Sequence, residues 1–289
     1  MPKFMPGKRL SERFFQEVVR PILTTHFPKM RYSAGLIGPG SDVLNFDTAR
    51  SMDHDWGPRV LLFVSKKDYR LKKKIVSTLS NTLPYEFLGF STHFGQPDEK
   101  SVRTTANVQS GPVHHKIEIH TIEGYFKEYM NWNISKDITL KDWLTLPEHK
   151  LRTIVSGKVF HDDLGLRNLI KKFKYYPHDI WLYLLASQWQ RISQEEHFMG
   201  RCAEVKDEIG SRILTAKLAR DIMRLCFYME RTYVPYIKWF GTGFTCLKSS
   251  KKLLPMLEKT LESTTWKDRE KQLIKAYEFV AKMHNQLKI

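Results

Sequence analysis

The sequence predicts an α+β fold, in which an N-terminal mixed sheet with helices precedes a C-terminal domain built only from helices. Before residue 120, short apolar runs and segments of alternating polar and apolar residues recur, as is typical of strands. After residue 150, apolar residues recur instead at three- and four-residue spacing, as they do on helices. The pattern changes over residues 131–150, which predicts two domains, residues 1–145 and residues 146–289.

The elements of the N-terminal domain follow from these patterns in order. Phe14, Val18 and Ile22 share one face of a helix predicted over residues 11–26, and Pro28 lies beyond its end. A second helix, basic on its outer face, is predicted over residues 66–82. Strands are predicted at residues 33–38, 59–64, 86–91 and 113–119.

Apolar stripes predict the core of the C-terminal domain. Pro177 and Asp179 are typical of the start of one helix, and Thr265 with Asp268 of the start of another. The stripe positions are more typical of packing than of cofactor contacts. They are Trp181, Leu185, Trp189 and Ile192; Leu214, Leu218, Ile222, Leu225 and Met229; and Leu273, Tyr277, Val280, His284 and Leu287.

Composition narrows the function classes. The formal net charge is +16, and a cationic surface concentrates anionic ligands such as nucleotides or RNA. The sequence has no motif of an RNA-recognition module and no apolar run near the ~20 residues that span a bilayer. Residues 1–19 are basic and lack the uninterrupted apolar core of a secretory signal, so we expect no secretory leader. The three cysteines are widely spaced, which favours a reducing compartment. We therefore expect a cytoplasmic protein without a membrane partner.

Asp53 and Asp55 are the main candidates for chemistry. They precede the apolar run of residues 60–64, and on a strand their side chains would project to the same side, away from His54. Two adjacent carboxylates repel each other unless a cation or a proton lies between them. A divalent ion, Mg²⁺ or Mn²⁺, is the expected partner, because it prefers oxygen ligands.

Two further features complete this candidate site. Glu118 lies in the alternating segment of residues 113–120, and on a strand beside the aspartates it would supply a third carboxylate for two metal ions. Gly40 and Ser41 follow the first predicted strand. A turn of small residues there would let backbone N–H groups approach a phosphate.

This pattern of Gly40-Ser41, Asp53 with Asp55, and Glu118 resembles the nucleotidyltransferase superfamily, the polymerase-beta-like fold of kanamycin and lincosamide nucleotidyltransferases. The chain also resembles a widespread nucleotidyltransferase-like family of unknown function. The motifs that carry this resemblance are GPGSDVLNFDT, SMDHDWGPR, KVFHDDLG, WQRISQEEHFMGR and RTYVPYIKWFGT.

The resemblance implies a metal-dependent enzyme that moves a nucleoside monophosphate from ATP or another nucleoside triphosphate to an acceptor hydroxyl. Asp53, Asp55 and Glu118 would be the catalytic metal ligands. Gly40, Ser41 and Arg59 would bind the nucleotide. A small-molecule acceptor is the first expectation, and transfer to RNA or protein, or a catalytically silent binding module, are the alternatives.

Acceptor contacts are predicted in the C-terminal domain, since a helical domain commonly covers the cleft of such enzymes. These candidates are Glu195, Glu196, Arg201, Tyr236 and Lys238. Ordinary helix-end charges and a structural corner at Pro235 are the competing interpretations. The sequence does not specify the acceptor, the nucleotide or the oligomeric state.

Overall fold

The computed structural model describes residues 3–99 and 102–289 and has the predicted α+β fold. Its contacts divide the chain into two compact units. The sheet unit comprises Met1–Ile138 and Lys150–Lys174, and the helical unit comprises Thr139–His149 and Tyr175–Ile289. The chain therefore enters the helical unit twice, whereas the sequence predicted a single division between residues 145 and 146.

The sheet unit begins with one helical segment and a four-stranded mixed sheet. α1 (Gly7–Phe14), a π-helical turn (Phe15–Val19) and α2 (Arg20–His26) follow one another without a break. The strands are β1 (Tyr32–Leu36), β2 (Arg59–Val64), β5 (Lys116–His120) and β6 (Lys158–Asp162). Their order across the sheet is β5-β2-β1-β6. β1 is antiparallel to β2 and β6, and β2 is parallel to β5.

The remaining elements of this part of the chain connect or flank the sheet. They are two 3₁₀ helices (Ala49–Asp53 and Asp68–Leu71), α3 (Lys72–Thr82), the short strands β3 (Glu86–Phe87) and β4 (Phe90–Ser91), α4 (Ile122–Met130), α6 (Glu148–Ser156) and α7 (Leu166–Lys172). α5 (Leu140–Thr145) belongs to the helical unit. β3 and β4 form a hairpin where one strand was predicted over residues 86–91. Leu88 and Gly89, both at positive φ, turn the chain between them.

One face of the sheet forms the core of this unit. Val60, Leu62, Ile117 and Ile119 alternate along β2 and β5 and are buried in one apolar cluster. The same cluster contains apolar residues of α1 and of α3, including Leu10, Phe14, Ile75 and Leu79. Because successive strand residues face opposite sides, the polar residues of β2 and β5 are left on the other face.

The helical unit is formed by α8 (His178–Glu195), α9 (Phe198–Glu204), α10 (Glu208–Met229), a 3₁₀ helix (Ile237–Trp239), α11 (Phe240–Thr245), α12 (Ser250–Glu262) and α13 (Trp266–Asn285). Its core contains most of the predicted stripe positions, among them Trp181, Leu185, Leu218 and Leu273. Trp181 donates a hydrogen bond from Nε1 to the carbonyl of Tyr228 (2.8 Å), which joins the start of α8 to the end of α10.

The C-terminal residues are helical as predicted, with one exception. The segment KVFHD forms β6 and pairs with β1, so residues 146–289 are not all helical. Val159 and Phe160 suit a strand, but they are the only two apolar residues of this segment, and so short a run gave no clear periodicity beside the longer helical stripes. Within the described residues, no helix combines the length and the apolar character needed to cross a bilayer.

Asp162 connects β6 to α7 and generates the first prediction. Its carboxylate accepts hydrogen bonds from Ser33 Oγ (2.6 Å) and from the amides of Leu166 and Arg167 (both 2.9 Å). Those amides have no partner inside the helix. Burial acts to raise the pKa of Asp162, but these hydrogen bonds outweigh it, so the pKa lies below its ordinary value of 3.8.

We expect Asp162→Ala to lower the free energy of unfolding by about 1–3 kcal/mol at neutral pH, because hydrogen bonds to a charged group are lost. A carboxylate with a lowered folded-state pKa stabilises above its unfolded pKa, and the stabilisation is lost as the pH falls through the folded-state pKa. The difference from wild type should therefore shrink in acid. Denaturant unfolding at several pH values measures it, with the exposed Asp137→Ala as control; a pH-independent difference would contradict it.

Candidate functional site

The polar face of β2 and β5 collects the charged residues of the sheet unit. In the parallel register, Arg59 is paired with Lys116, Leu61 with Glu118 and Phe63 with His120. Side chains at alternate positions share a face, so all of these project from the side opposite the core. The structure thus brings Arg59 and Glu118, both predicted site residues, onto one surface on neighbouring strands.

Arg59 is held by a nearly buried ion pair with Asp42. The guanidinium donates from Nη2 to Oδ1 (2.6 Å) and from Nε to Oδ2 (3.1 Å), and the carboxylate side chain is only 3% exposed. Nη2 also donates to the carbonyl of Pro39 (3.0 Å). Burial acts to lower the pKa of Arg59, but the carboxylate of Asp42 outweighs it and raises the pKa. Arg59 therefore stays charged and fixed in orientation, while Nη1 takes no part in these bonds.

Position 40, in the turn before Asp42, must be occupied by glycine. Gly40 has φ of +142°, and a Cβ there would collide with the Asp42 carboxylate and the Arg59 guanidinium. Ser41, the other predicted phosphate contact, begins the following turn, and its carbonyl accepts a hydrogen bond from the amide of Phe46 (2.9 Å). Gly40, Ser41 and Arg59, the three residues predicted to bind the nucleotide, thus belong to one short region around the Asp42–Arg59 pair.

Asp55 lies in an irregular segment before β2, not on a strand. It has φ of +48°, and β2 begins only at Arg59. The predicted strand was wrong here because Gly57 has φ of +144° and Pro58 has no N–H to donate to a sheet. Even so, the Asp55 carboxylate forms an ion pair with the Lys116 ammonium of β5. This contact places it beside the polar face.

Arg103 fixes the chain on the other side of Asp55. The amide of Asp55 donates to the carbonyl of Arg103 (2.8 Å), and the amide of Arg103 donates to the Asp55 carboxylate (3.4 Å). The Arg103 guanidinium donates to the carbonyls of Phe94, Gly95 and His114 (2.9–3.2 Å). Asp55 is therefore positioned from both sides, although its side chain remains 41% exposed.

Asp53 points elsewhere. It is the last residue of the 3₁₀ helix Ala49–Asp53, and its side chain is 52% exposed. Its carboxylate pairs with His54 Nδ1 (2.5 Å) and with Arg50 Nε (3.8 Å). The prediction that strand geometry turns His54 away from Asp53 was therefore wrong, because no strand forms at this point.

Glu118 is the carboxylate that the sheet itself positions. His120, two residues further along the same face, approaches it with Nε2 at 3.3 Å from Oε2. This hydrogen bond is the main reason why the pKa of Glu118 is lowered; burial opposes the shift, while the charges of His120, Arg59 and Lys116 add to it. Glu118 is consequently ionised at neutral pH, and its side chain is 50% exposed.

A cleft of about 300 Å³ opens beside Glu118 and Arg59. Its other walls come from the segment that follows β1, from β2 and β5, and from α4 and α6. They are Ile37, Pro39, Leu61, His120, Tyr125, Glu128, Tyr129 and Lys150. Lys150 donates from Nζ to the carbonyl of Tyr129 (2.5 Å), and Tyr125 donates from its hydroxyl to the carbonyl of Ile37 (3.2 Å). The cleft combines aromatic walls with fixed charges of both signs, which suits a charged small molecule.

The fit of a divalent cation differs among the three carboxylates. Asp55 and Glu118 both act electrostatically on Arg59 and on Lys116, so they share the same two basic neighbours, and their oxygens are the donors that Mg²⁺ prefers. Asp53 pairs instead with His54 and Arg50. Among the described residues, no three His, Cys, Asp or Glu side chains are grouped as in a metal site. The oxygen donors of Asp55 and Glu118 thus suit a cation chemically, whereas Asp53 is paired elsewhere.

The predicted acceptor contacts form two separate sets in the helical unit. Glu195, at the end of α8, pairs with Lys217 (2.5 Å), and the exposed Glu196 follows it directly. Arg201 is exposed on α9. Tyr236 and Lys238 belong to the other set: Tyr236 accepts a hydrogen bond from Trp239 Nε1 (2.5 Å), and Lys238 Nζ lies 5.0 Å from the Trp239 ring centre.

The two sets lie toward opposite ends of α8. Arg231, five residues before Tyr236, stacks its guanidinium over the ring of Trp181 at the start of this helix (3.9 Å), whereas Glu195 ends it. At 1.5 Å per residue, Trp181 and Glu195 are roughly 20 Å apart along the helix axis. One small acceptor would not touch both sets at once.

Several residues at the site were missed by the sequence analysis. Lys116 could have been found, since its alternation with Glu118 places both on one strand face. Asp42 gave a weaker signal, an acidic residue between a glycine turn and the apolar pair Val43-Leu44. Arg103 and Lys150 gave none, because their roles depend on which distant segments meet them.

Comparison with known proteins adds one family. The model of a family described as a domain of unknown function (DUF4037) matches residues 143–240. This stretch runs from α5 to the start of α11 and contains Glu195, Glu196, Arg201, Tyr236 and Lys238. It does not include the cleft residues on β2 and β5. No curated protein matches the chain significantly. The chain is thus similar to this family over the segment from α5 to α11.

The Asp42–Arg59 pair generates the second prediction. Breaking a buried pair leaves one charge without compensation, which typically costs about 3–5 kcal/mol. We expect Asp42→Asn, which keeps the side-chain volume but removes the charge, to lower the free energy of unfolding by that amount. The exposed Asp137→Asn, in the same unit, should change it by less than about 0.5 kcal/mol. Denaturant unfolding of both variants measures this, and equal stabilities would show that the pair is not the constraint inferred here.

Proposed function

We propose that the sheet unit is a metal-dependent nucleotidyltransferase. It would move a nucleoside monophosphate from ATP or another nucleoside triphosphate to a hydroxyl group of a small molecule. The single observation that supports this best is that Arg59, held by Asp42 behind the Gly40 turn, lines one cleft with Glu118, while Asp55 pairs with Lys116 on the same polar face. A fixed cation for phosphate and two oxygen donors for a metal are the parts that such a reaction needs.

The phosphate end of the nucleotide would bind at the turn. The Nη1 group of Arg59 remains available to donate to a phosphate oxygen, and an arginine whose orientation is fixed loses little freedom on binding. Gly40 keeps the backbone close to the guanidinium, and Ser41 would add its hydroxyl or amide. Lys116 would supply a second positive charge when it leaves Asp55.

The ion pairs that hold the carboxylates differ in how readily they would exchange. Asp53 and its partner His54 are both about half exposed, and ion pairs at such sites are worth about 0–1 kcal/mol. Lys116 and His120, the partners of Asp55 and Glu118, are only 13% and 19% exposed, so they would be released only where a bound phosphate takes the place of the carboxylate. In the proposed site, Asp55 and Glu118 would hold Mg²⁺ or Mn²⁺, and Asp53 would add a third carboxylate only by releasing its exposed partners.

Side chains of the protein would then offset the charge on the phosphates and accept the proton of the acceptor hydroxyl. When bound, the cation supplies positive charge that offsets the triphosphate. The acceptor hydroxyl oxygen forms a bond to the α-phosphorus, the bond from that phosphorus to the bridging oxygen breaks, and pyrophosphate leaves. Glu118, whose pKa is lowered chiefly by its hydrogen bond to His120, would take the hydroxyl proton. Arg59 and Lys116 offset the charge that develops on the phosphates.

One observation favours a second candidate, a catalytically silent binding module. In the described part of the chain the three carboxylates are not grouped as in a metal site, which is the arrangement expected if nucleotide binding survives without catalysis. The two candidates differ in whether Mg²⁺ strengthens nucleotide binding and whether product forms. Incubation with each labelled nucleoside triphosphate, Mg²⁺ and a metabolite extract separates them, since only the enzyme yields a labelled acceptor.

The third prediction concerns ligand-induced stability. A ligand that binds only the folded protein adds about 2.7 kcal/mol at a concentration of 100 times its Kd. We expect Mg²⁺ with ATP to raise the Tm of wild type, and Asp55→Asn or Asp53→Asn to remove most of that gain. Asn keeps the side-chain volume but loses the charge that holds the cation. Differential scanning calorimetry with Mg²⁺, with ATP, and with both measures the effect.

Asp137→Asn is the matched control, because it removes an equal charge from an exposed position of the same unit. It should gain as much stability as wild type. Equal gains in all four proteins would show that the aspartates do not bind the metal. A gain from ATP that Mg²⁺ leaves unchanged, without labelled product, would favour the binding module.

A further inference from the structure

A cleft of about 390 Å³ lies between α8 and α10 in the helical unit. Arg191 on α8 and Arg220 and Arg224 on α10 face into it. The other lining residues are Leu184, Ser187, Gln188, Asp221 and Tyr228. None of them belongs to the proposed nucleotide site, and no predicted acceptor residue lines this cleft. Its lining carries three guanidinium charges against one carboxylate.

Two of these arginines are held in place by neighbouring acids. Arg191 donates from Nε to Asp221 Oδ2 (3.2 Å), and the Asp221 side chain is only 3% exposed. Arg224 donates from Nη2 to Glu148 Oε2 (2.6 Å) and from Nε to the Tyr228 hydroxyl (2.9 Å). Neither set of bonds uses Nη1 of Arg224 or the two terminal nitrogens of Arg191. Those N–H groups remain available to a ligand.

Arg220 is the arginine without an acid. It is exposed, and its guanidinium carbon lies over the ring of Phe240, 5.9 Å from the ring centre. Within the described residues it forms no ion pair. It lies four residues before Arg224, a spacing that places two like charges side by side on a helix and is unfavourable. A ligand with concentrated negative charge would relieve this repulsion and would accept hydrogen bonds from all three arginines.

We propose that this cleft binds the phosphate group of a small phosphomonoester. Asp221 and Glu148 together leave one of the three positive charges unpaired, which a phosphate group matches in sign, and its three terminal oxygens match the forked donors of arginine. The remaining volume, with Leu184 and Tyr228 in the walls, accommodates an organic group attached to the phosphate. The proposal does not depend on the nucleotide-transfer function, because every residue that carries it lies in the helical unit.

Isothermal titration calorimetry of the full chain tests this with ribose 5-phosphate, inorganic phosphate and unphosphorylated ribose. Wild type should bind ribose 5-phosphate and inorganic phosphate but not ribose. Arg220→Ala should weaken the binding of ribose 5-phosphate by about tenfold or more, since hydrogen bonds to a charged group are lost. Arg220→Lys, which keeps the charge but not the fork, should weaken it less.

Arg212→Ala is the matched control, since it removes the same charge from an exposed position of the same helix, two turns away. It should bind ribose 5-phosphate as wild type does. Equal affinity of wild type and Arg220→Ala, equal affinity for ribose and ribose 5-phosphate, or no binding to wild type would overturn the proposal. So would full displacement by an oligonucleotide without terminal phosphates, which would assign the cleft to a nucleic-acid backbone.

Discussion

A buried ion pair between Asp42 and Arg59 is the constraint on which the polar face of the sheet unit depends. Removing both charges from water costs several kcal/mol per ion, so such a pair is tolerated only with near-ideal hydrogen bonds. The two parallel bonds of the guanidinium provide them, and they hold the glycine turn after β1 against the first residue of β2. Gly40 follows from this arrangement, because a side chain there would occupy the space of the pair.

The other charges on this face are held differently. Lys116 with Asp55, and His120 with Glu118, join carboxylates that are 41% and 50% exposed to basic side chains that are only 13% and 19% exposed, so breaking either pair leaves a mostly buried basic group without its partner. The face therefore combines one fixed cation with half-exposed carboxylates that a ligand can reach. This combination suits a site that binds and releases a charged ligand, since the fixed group sets orientation and the carboxylates remain accessible to the ligand.

The sequence allowed the fold class and the main apolar elements to be predicted, because β2, α8 and α10 have long or clear hydrophobic patterns. The strand prediction failed where the backbone conformation of particular residues prevents a strand that the hydrophobic pattern favours. Asp53 and Asp55 precede an apolar run as strand residues would, but Gly57 and Pro58 separate them from β2. Two further features were not predicted from the sequence: strand β6 and the pairing of Asp55 with Lys116. Both depend on contacts between segments about 60 or more residues apart in the chain. No local pattern specifies such contacts.

In the helical unit, as in the sheet unit, a mostly buried carboxylate holds an arginine in a fixed orientation. Glu148 accepts hydrogen bonds from Arg224 and from the amide of Val234 (3.1 Å). Burial raises the pKa of Glu148, and both bonds oppose that rise. In each unit an acid with little exposure thus fixes an arginine at the edge of a cleft, while part of the guanidinium stays available. Such an arginine is already partly desolvated and ordered in the folded protein. Binding an anion to it therefore carries a smaller desolvation and ordering cost. Arg220 differs, because no acid holds it. Its conformation should therefore change most when a ligand binds.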